Sequence, residues 1–138
     1  MGRTLDIDIG IGVVTIHDHY LITVMNEGIT VTVEANKILK DIAKMYFKDK
    51  PFVYITHRKN SYAVDTTIYT ETKKIPNLIG FAVVSTKGMA LTNASLEKLF
   101  FEKPFEIFEN LNDAITWSQE LILSHILREK KKKKNKKP

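Results

Sequence analysis

The stretch "PFVYITHRKNSYAVDTTIYTETKKIPNLIGFAVVS", residues 51–85, decides the fold class. Its first run, "FVYIT" (52–56), is nearly all apolar, as in strands that are buried on both faces. Asp65 can cap a short helix, which Pro76 then ends. The run "LIGFAVVS" (78–85) is the strongest strand signal in the chain. A strand, a helix and a second strand in this order predict two parallel strands joined by a right-handed crossover.

The N-terminal part predicts three strands and a helix. "TLDIDIG" (4–10) alternates apolar and polar residues, which is typical of a half-buried strand. The β-rich runs 13–17 and 20–26 are separated by only two residues, so they predict an antiparallel hairpin. Apolar residues then recur at helical spacing after Thr32, the predicted N-cap, and this helix must end before Pro51.

The C-terminal part predicts a helix near 93–101, a short strand at 105–108 and a last helix. Asn110 or Asn112 is expected to cap the last helix, which runs to about Arg128. The predicted order is β-β-β-α-β-α-β-α-β-α. We therefore expect one α/β domain: a mixed, mostly parallel sheet with an N-terminal antiparallel hairpin and about four helices, packed mainly on one face.

The charge of the chain is concentrated at its C-terminus. The net charge is +5, and residues 128–138 contribute +7, from seven Lys and one Arg against one Glu, so residues 1–127 carry −2. Like charges in a run repel one another, so we expect a domain over 1–128 and a disordered Lys-rich tail over 129–138. A solvated tail is the simplest interpretation, and attraction to an anionic membrane or to nucleic acid are the alternatives. No aromatic residue interleaves with these lysines, so no specific nucleic-acid binding is expected.

Composition limits the remaining classes. The chain has no cysteine, which excludes disulfides and thiolate chemistry and fits a reducing compartment. No apolar run approaches the ~20 residues of a membrane span, and the first residues do not have a signal-peptide pattern. A cytoplasmic protein is expected.

The stretch "THRKNSYAVD" (56–65) holds the first candidate site. Its candidate interaction or anion-binding residues are His57, Arg58, Lys59, Asn60, Ser61 and Tyr62. Ligands of open α/β sheets favour the C-terminal ends of strands, where this loop is expected. Ser61 and Thr66 are the candidate phosphorylation sites. The alternative is a polar connector, in which Asn60 and Ser61 bond to the backbone of a turn.

Three other patterns carry no assigned chemistry. The "HDH" of residues 17–19 lies in a hairpin turn without further ligands nearby in sequence, so no metal site is assigned. His57 has no nucleophile at a recognisable spacing, and no glycine-rich phosphate loop is present. We therefore assign no catalytic residue and no cofactor.

The last helix carries a second apolar face. This face consists of Ile122, Leu123, Ile126 and Leu127. A surface helix normally has one apolar stripe, and these four residues lie on successive sides of the helix. We expect that they cannot all face one core. A homodimer is the favoured explanation, and contact with a membrane surface is the less favoured one.

Four stretches resemble a small bacterial family of SpoIIAA-like domains of the STAS/SEC14 type. They are "VMNEGITVT" (24–32), "KPFVYITHRKNSYAVD" (50–65), "LIGFAVVS" (78–85) and "LEKLFFEKPFEIFENLNDAITW" (96–117). The resemblance covers nearly all of residues 4–122. It implies the same single α/β domain as the element order.

The resemblance also implies two kinds of function. STAS domains are non-enzymatic regulators, and their anti-sigma-factor-antagonist branch binds a kinase-like protein. That branch is switched by phosphorylation of a Ser in an Asp-Ser-Ser/Thr-Gly-like motif, at the start of the helix after a central strand. The corresponding region here offers Ser61, Thr66 and Thr67 without that motif. The SEC14 branch implies an apolar ligand, which the Phe-rich segment 100–108 also suggests.

We therefore expect a bacterial, cytoplasmic, non-catalytic regulatory or interaction domain that binds a protein partner, such as a kinase-like regulator. The alternative is a carrier or sensor of an apolar, lipid-like small molecule. An enzyme is the third class, for which the sequence offers no constellation of residues.

Overall fold

A six-stranded mixed sheet forms the centre of the computed structural model, which describes residues 4–60, 62–86 and 101–135. Its strands are β1 (Leu5–Asp8), β2 (Gly12–Ile16), β3 (Tyr20–Met25), β5 (Phe52–His57), β7 (Leu78–Val84) and β8 (Phe105–Phe108). The strands β4 (Thr30–Val31) and β6 (Ala63–Val64) form a separate parallel pair. The helices of the described residues are α1 (Val33–Phe47), α2 (Thr67–Thr72) and α3 (Leu111–Asn135).

The strand order in the large sheet is β1-β2-β3-β5-β7-β8. β1, β2 and β3 are antiparallel neighbours, whereas β3, β5, β7 and β8 pair in parallel. The predicted two-residue hairpin is present, because His17 N donates to Tyr20 O at 2.9 Å across the turn. The predicted fold class is confirmed: a mixed, mostly parallel sheet with an N-terminal antiparallel hairpin.

Local capping explains where the helices begin. Thr32 Oγ1 accepts a hydrogen bond from a backbone N–H of the first turn of α1 at 3.2 Å. Asp65 Oδ1 accepts from Thr67 N at 3.0 Å at the start of α2. Asn110 Oδ1 accepts from Asp113 N at 2.9 Å before α3, so Asn110 is the cap and not Asn112.

Helices cover both faces of the sheet. α1 and α2 pack on the face that carries Tyr54, Phe81 and Phe105, whose rings stack at 4.7 Å and 5.2 Å from the central Phe81. α3 packs on the opposite face, where Ile55 and Ala82 belong to a second apolar cluster. We expected helices mainly on one face, but α3 lies on the other. A central strand that is buried on both faces needs helices packed on both faces.

Two predictions concern the C-terminal half. The helix predicted near 93–101 falls almost entirely on residues 87–100, which lie outside the described residues. The disorder predicted from residue 129 is wrong for 129–135, because α3 continues to Asn135. Lys and Glu are good helix formers, and cations are favourable near a helix C-terminus, which offsets their mutual repulsion. The domain boundary at residue 128 stays a prediction.

Gly80 allows α3 to approach the sheet closely. A Cβ at this position would lie 2.5 Å from Leu121 Cδ2 and 3.1 Å from Trp117 Cη2. Both contacts are made by side chains of α3, so the absence of a side chain at Gly80 lets Leu121 and Trp117 lie directly against β7.

We expect Gly80→Ala to lower the free energy of unfolding by about 1–3 kcal/mol, because the added methyl group overpacks the contact with Leu121. The double variant Gly80→Ala/Leu121→Ala should lose less than the sum of the two single variants, by at least about 0.5 kcal/mol. Urea denaturation of the four proteins measures this coupling. Additive losses would contradict the proposed contact.

Candidate functional site

Successive side chains of β5 point to opposite faces of the sheet, and the polar residues at its C-terminal end follow the same alternation. Tyr54, Thr56 and Arg58 point to the face covered by α1 and α2, and all three are buried. The strand pairing persists to Arg58, whose N–H donates to Val84 O at 2.8 Å. Arg58 is only 8% exposed, so it does not extend into solvent as an open loop cation would.

Tyr62 folds back over this row of side chains. Its hydroxyl and that of Thr56 are hydrogen-bonded at 2.6 Å. The guanidinium carbon of Arg58 lies 5.6 Å from the Tyr62 ring centroid, which is within cation–π range. Together these side chains border a cavity of about 20 Å³, which has room for about one water molecule.

Two further polar residues lie at the same cavity. Asn36 of α1 donates from Nδ2 to Thr72 Oγ1 of α2 at 3.0 Å, and both residues are buried. Burial also raises the pKa of Tyr54 well above its ordinary value, so its hydroxyl stays neutral. Sequence reasoning missed Asn36, although it shares the buried face of α1 with Leu39 and Ala43 at helical spacing.

The loops after β3 and β5 are fastened to each other. Asn60 Nδ2 donates to Met25 O at 2.9 Å, and β4 pairs with β6 with Thr30 opposite Ala63. Asn60 therefore bonds to backbone at the end of β3, 35 positions away in the sequence. Ser61 lies outside the described residues. We call the exposed surface formed by residues 26–28, 59 and 63–67 the edge surface.

The charges of the edge surface are mixed. Burial, and then the charge of Lys59, lower the pKa of His57 below its ordinary value, so His57 is neutral at pH 7. Hydrogen bonds from the Thr67 side chain and backbone lower the pKa of Asp65, which is anionic. The three residues that the sequence offered as possible cations therefore differ: His57 is neutral, Arg58 is buried and Lys59 is exposed.

Of the two candidate phosphorylation sites, Thr66 is the one that lies within the described residues. It is exposed, and its side chain makes no capping hydrogen bond to α2. It directly follows Asp65, whose carboxylate already accepts the hydrogen bond from Thr67 N. A phosphate on Thr66 would therefore lie beside an existing negative charge.

The "HDH" hairpin turn lies at the other end of the strands, opposite the end that carries the edge surface. The His17 ring stacks on Tyr20 at 4.4 Å, and burial lowers the pKa of His17 in spite of the nearby charges of Asp18 and Asp6. A cavity of about 480 Å³ separates this turn from α3. Within the described residues, no three His, Asp or Glu side chains lie close enough together to hold a metal ion.

The predicted second apolar face is divided between core and surface. Ile122 is 4% exposed and Ile126 is half-buried, whereas Leu123 and Leu127 are 57% and 56% exposed. None of the helices in the described part of the chain has the length and hydrophobicity needed to cross a membrane.

An open cleft of about 740 Å³ lies at the N-terminal edge of the parallel strands, between α1, the segment 71–77 and the end of α3. Its charged residues are of both signs, which gives it no clear preference for an anion or a cation. They include Lys40, Asp41, Lys44, Lys48, Asp49, Glu71, Lys74 and Glu129.

Comparison with known proteins bears on the fold. No protein-family model and no curated protein sequence matches this chain. The structure is similar to the crystal structure of an uncharacterised protein of the DUF3478 family with a SpoIIAA-like fold, from Shewanella loihica PV-4. The fold is SpoIIAA-like. The TM-score is 0.55 over 85% of this chain and 93% of that chain, at 14% sequence identity, so the predicted resemblance is confirmed for the fold.

We expect Tyr62→Phe to lower the free energy of unfolding by about 1–3 kcal/mol, because it leaves the buried Thr56 hydroxyl without this partner. The double variant Thr56→Val/Tyr62→Phe should lose less than the sum of the single variants, since both partners are then apolar. Chemical denaturation checks both values. A fully additive result would mean that the hydroxyl pair is not coupled.

We also expect the His57 imidazole to titrate below pH 6.5 in the folded protein, since burial and Lys59 both disfavour its charge. The stability that this depressed pKa contributes is present above pH 6.5 and is lost as the pH falls through the folded value. NMR titration of the ring protons measures the pKa directly. Lys59→Gln should raise it, whereas Lys44→Gln on α1 should leave it unchanged.

Proposed function

We propose that this SpoIIAA-like domain is a cytoplasmic, non-catalytic regulatory domain that binds a protein partner through the edge surface. The observation that carries the proposal is the fastening of two loops into one surface, through the Asn60–Met25 hydrogen bond and the β4–β6 pair. Loops that a rigid scaffold positions are the usual carriers of binding function. A surface ordered before binding also loses less conformational entropy when a partner docks.

The polar side chains near this edge favour a binding role over a catalytic one. The Thr56 and Tyr62 hydroxyls bond to each other, and Asn60 bonds to backbone. Tyr54 is buried with a raised pKa, which makes it a poor acid at neutral pH. These groups hold the loop in place, and Lys59 and Asp65 are exposed on the same surface.

Phosphorylation of Thr66 is the proposed switch. A phosphate carries about −1.5 to −2 charges at neutral pH and would be repelled by the Asp65 carboxylate beside it. Because Asp65 accepts the hydrogen bond that begins α2, this repulsion would loosen the first turn of that helix. The edge surface would then change in both charge and shape. A kinase-like regulator is the partner class that the SpoIIAA-like fold suggests.

A carrier of an apolar ligand has less support. Phe101 and Phe105, which suggested a ligand pocket, are 1% and 3% exposed and pack against Phe81. Two small cavities that the described residues form beside this core measure about 20 Å³ and 10 Å³. Pockets for small molecules typically measure about 300–1,000 Å³.

The test is affinity capture from the native host with three matched baits: the wild type, Lys59→Glu and Lys44→Glu. We expect Lys59→Glu to lose a captured protein that the wild type and Lys44→Glu both retain, because Lys44 is exposed on α1 near the other end of the sheet. Thr66→Glu should weaken the same capture, and Thr66→Val should not. Equal capture by all baits, or turnover in a broad substrate screen, would overturn the proposal.

A further inference from the structure

α3 has an exposed stripe directly opposite the side that packs on the sheet. The side that faces the sheet includes Ala114, Ser118 and Ile122, which are buried at four-residue spacing, and Trp117 and Leu121, which lie against Gly80. The stripe on the other side consists of Thr116, Glu120, Leu123, Leu127 and Lys130, all of them exposed. Steps of four, three, four and three residues are the spacing of a seam between two packed helices. A partner helix could therefore lie along this stripe without disturbing the core.

The charge along α3 is ordered from acidic to apolar to basic. Between Leu111 and Leu127 the helix carries two carboxylates, Asp113 and Glu120, and no Lys or Arg. From Arg128 to Asn135 it carries one Arg and five Lys against a single Glu. The two most exposed apolar side chains of the helix, Leu123 and Leu127, lie between the two charged halves.

This order makes the stripe complementary to itself in one orientation only. A parallel pair would place the basic halves side by side, which is repulsive. An antiparallel pair with its two-fold axis level with residue 125 places Leu123 opposite Leu127 of the partner subunit. The same register places Glu120 opposite Lys130 of the partner subunit, because each pair of positions is equally distant from the axis. Two-fold symmetry repeats both contacts.

We propose that α3 binds α3 of a second copy of this chain as an antiparallel pair, with Leu123 and Leu127 at its centre and Glu120 and Lys130 at its ends. This inference is independent of the edge surface. An anionic membrane is a poorer occupant, because Glu120 lies on the same stripe and would face the negative headgroups. A single pair of helices buries less area than the about 800 Å² per partner of a standard interface, so the dimer is weak.

Sedimentation equilibrium of the full chain at low ionic strength tests the proposal. We expect reversible dimers whose dissociation constant rises about tenfold in about 1 M salt, where the Debye length is about 3 Å. Leu123→Lys should weaken the dimer by more than about tenfold. The matched control is Met45→Lys, which changes a side chain of α1 that is 66% exposed, and it should have no effect. A strictly monomeric wild type would overturn the proposal.

A charge swap tests the register. Glu120→Lys and Lys130→Glu should each abolish the dimer, because each places like charges opposite one another. The double variant Glu120→Lys/Lys130→Glu should restore it. All of these residues are exposed, and circular dichroism confirms that each variant remains folded. Failure of the double variant to recover would overturn the register, as would wild-type binding to phosphatidylserine vesicles in place of self-association.

Spin labels test the orientation, since the chain has no native cysteine to interfere. Labels at Ser124→Cys should lie close together across the pair. Labels at Asn112→Cys should be roughly 40 Å apart, from twice thirteen residues at ~1.5 Å rise each. A parallel pair would give the same short distance at both positions, and that result would overturn the antiparallel arrangement.

Discussion

The parallel pairing of β5 between β3 and β7 is the constraint on which the rest of the structure depends. Because β5 has a strand on each side and helices on both faces, every residue from Phe52 to Thr56 is buried. Its alternating side chains build two cores, with Tyr54 under α1 and α2 and Ile55 under α3. The same alternation directs the Arg58 side chain to the face covered by α1 and α2, just beyond the last core residue of the strand. The position of the candidate site is thus a consequence of how the central strand is buried.

This dependence explains what the sequence could and could not predict. Strands β5 and β7 were recognisable because burial on both faces requires an unbroken apolar run. Capping is a local interaction, so Thr32 was recognisable as a cap and Asn110 as one of two candidates. Strands of two residues have no periodicity, so β4 and β6, which exist only through their pairing, left no signal. Arg58 was placed in a candidate interaction loop, whereas its spacing from Tyr54 and Thr56 indicated the buried face. The similarity to a protein of the same fold at 14% sequence identity shows that largely different residues can build this fold.

The edge surface combines a rigid base with a mixed-charge exterior. Hydrogen bonds from Asn60 to Met25 and from Asn36 to Thr72 fix the loops and helices around it. Hydrogen bonds between buried or partly buried groups favour one arrangement, because an alternative would leave polar groups without partners. The exposed residues above it, such as Lys59 and Asp65, can therefore be read by a partner in a defined geometry. A modification at Thr66 would act at the start of α2, which is only six residues long.

α3 connects the two proposed surfaces in a way that has a geometric consequence. The helix begins just after β8, at the end of the strands where the edge surface lies. Its 25 residues span about 37 Å in total, and the helix extends past the opposite end of the strands. In an antiparallel pair of such helices, the two copies of the edge surface lie at opposite ends of the assembly and both remain open. A dimer would therefore present two separated binding surfaces, and a partner that is itself dimeric or membrane-clustered would gain avidity from it without any new contact. Self-association and partner binding can then act together, because the first uses α3 and the second uses the loops of the edge surface.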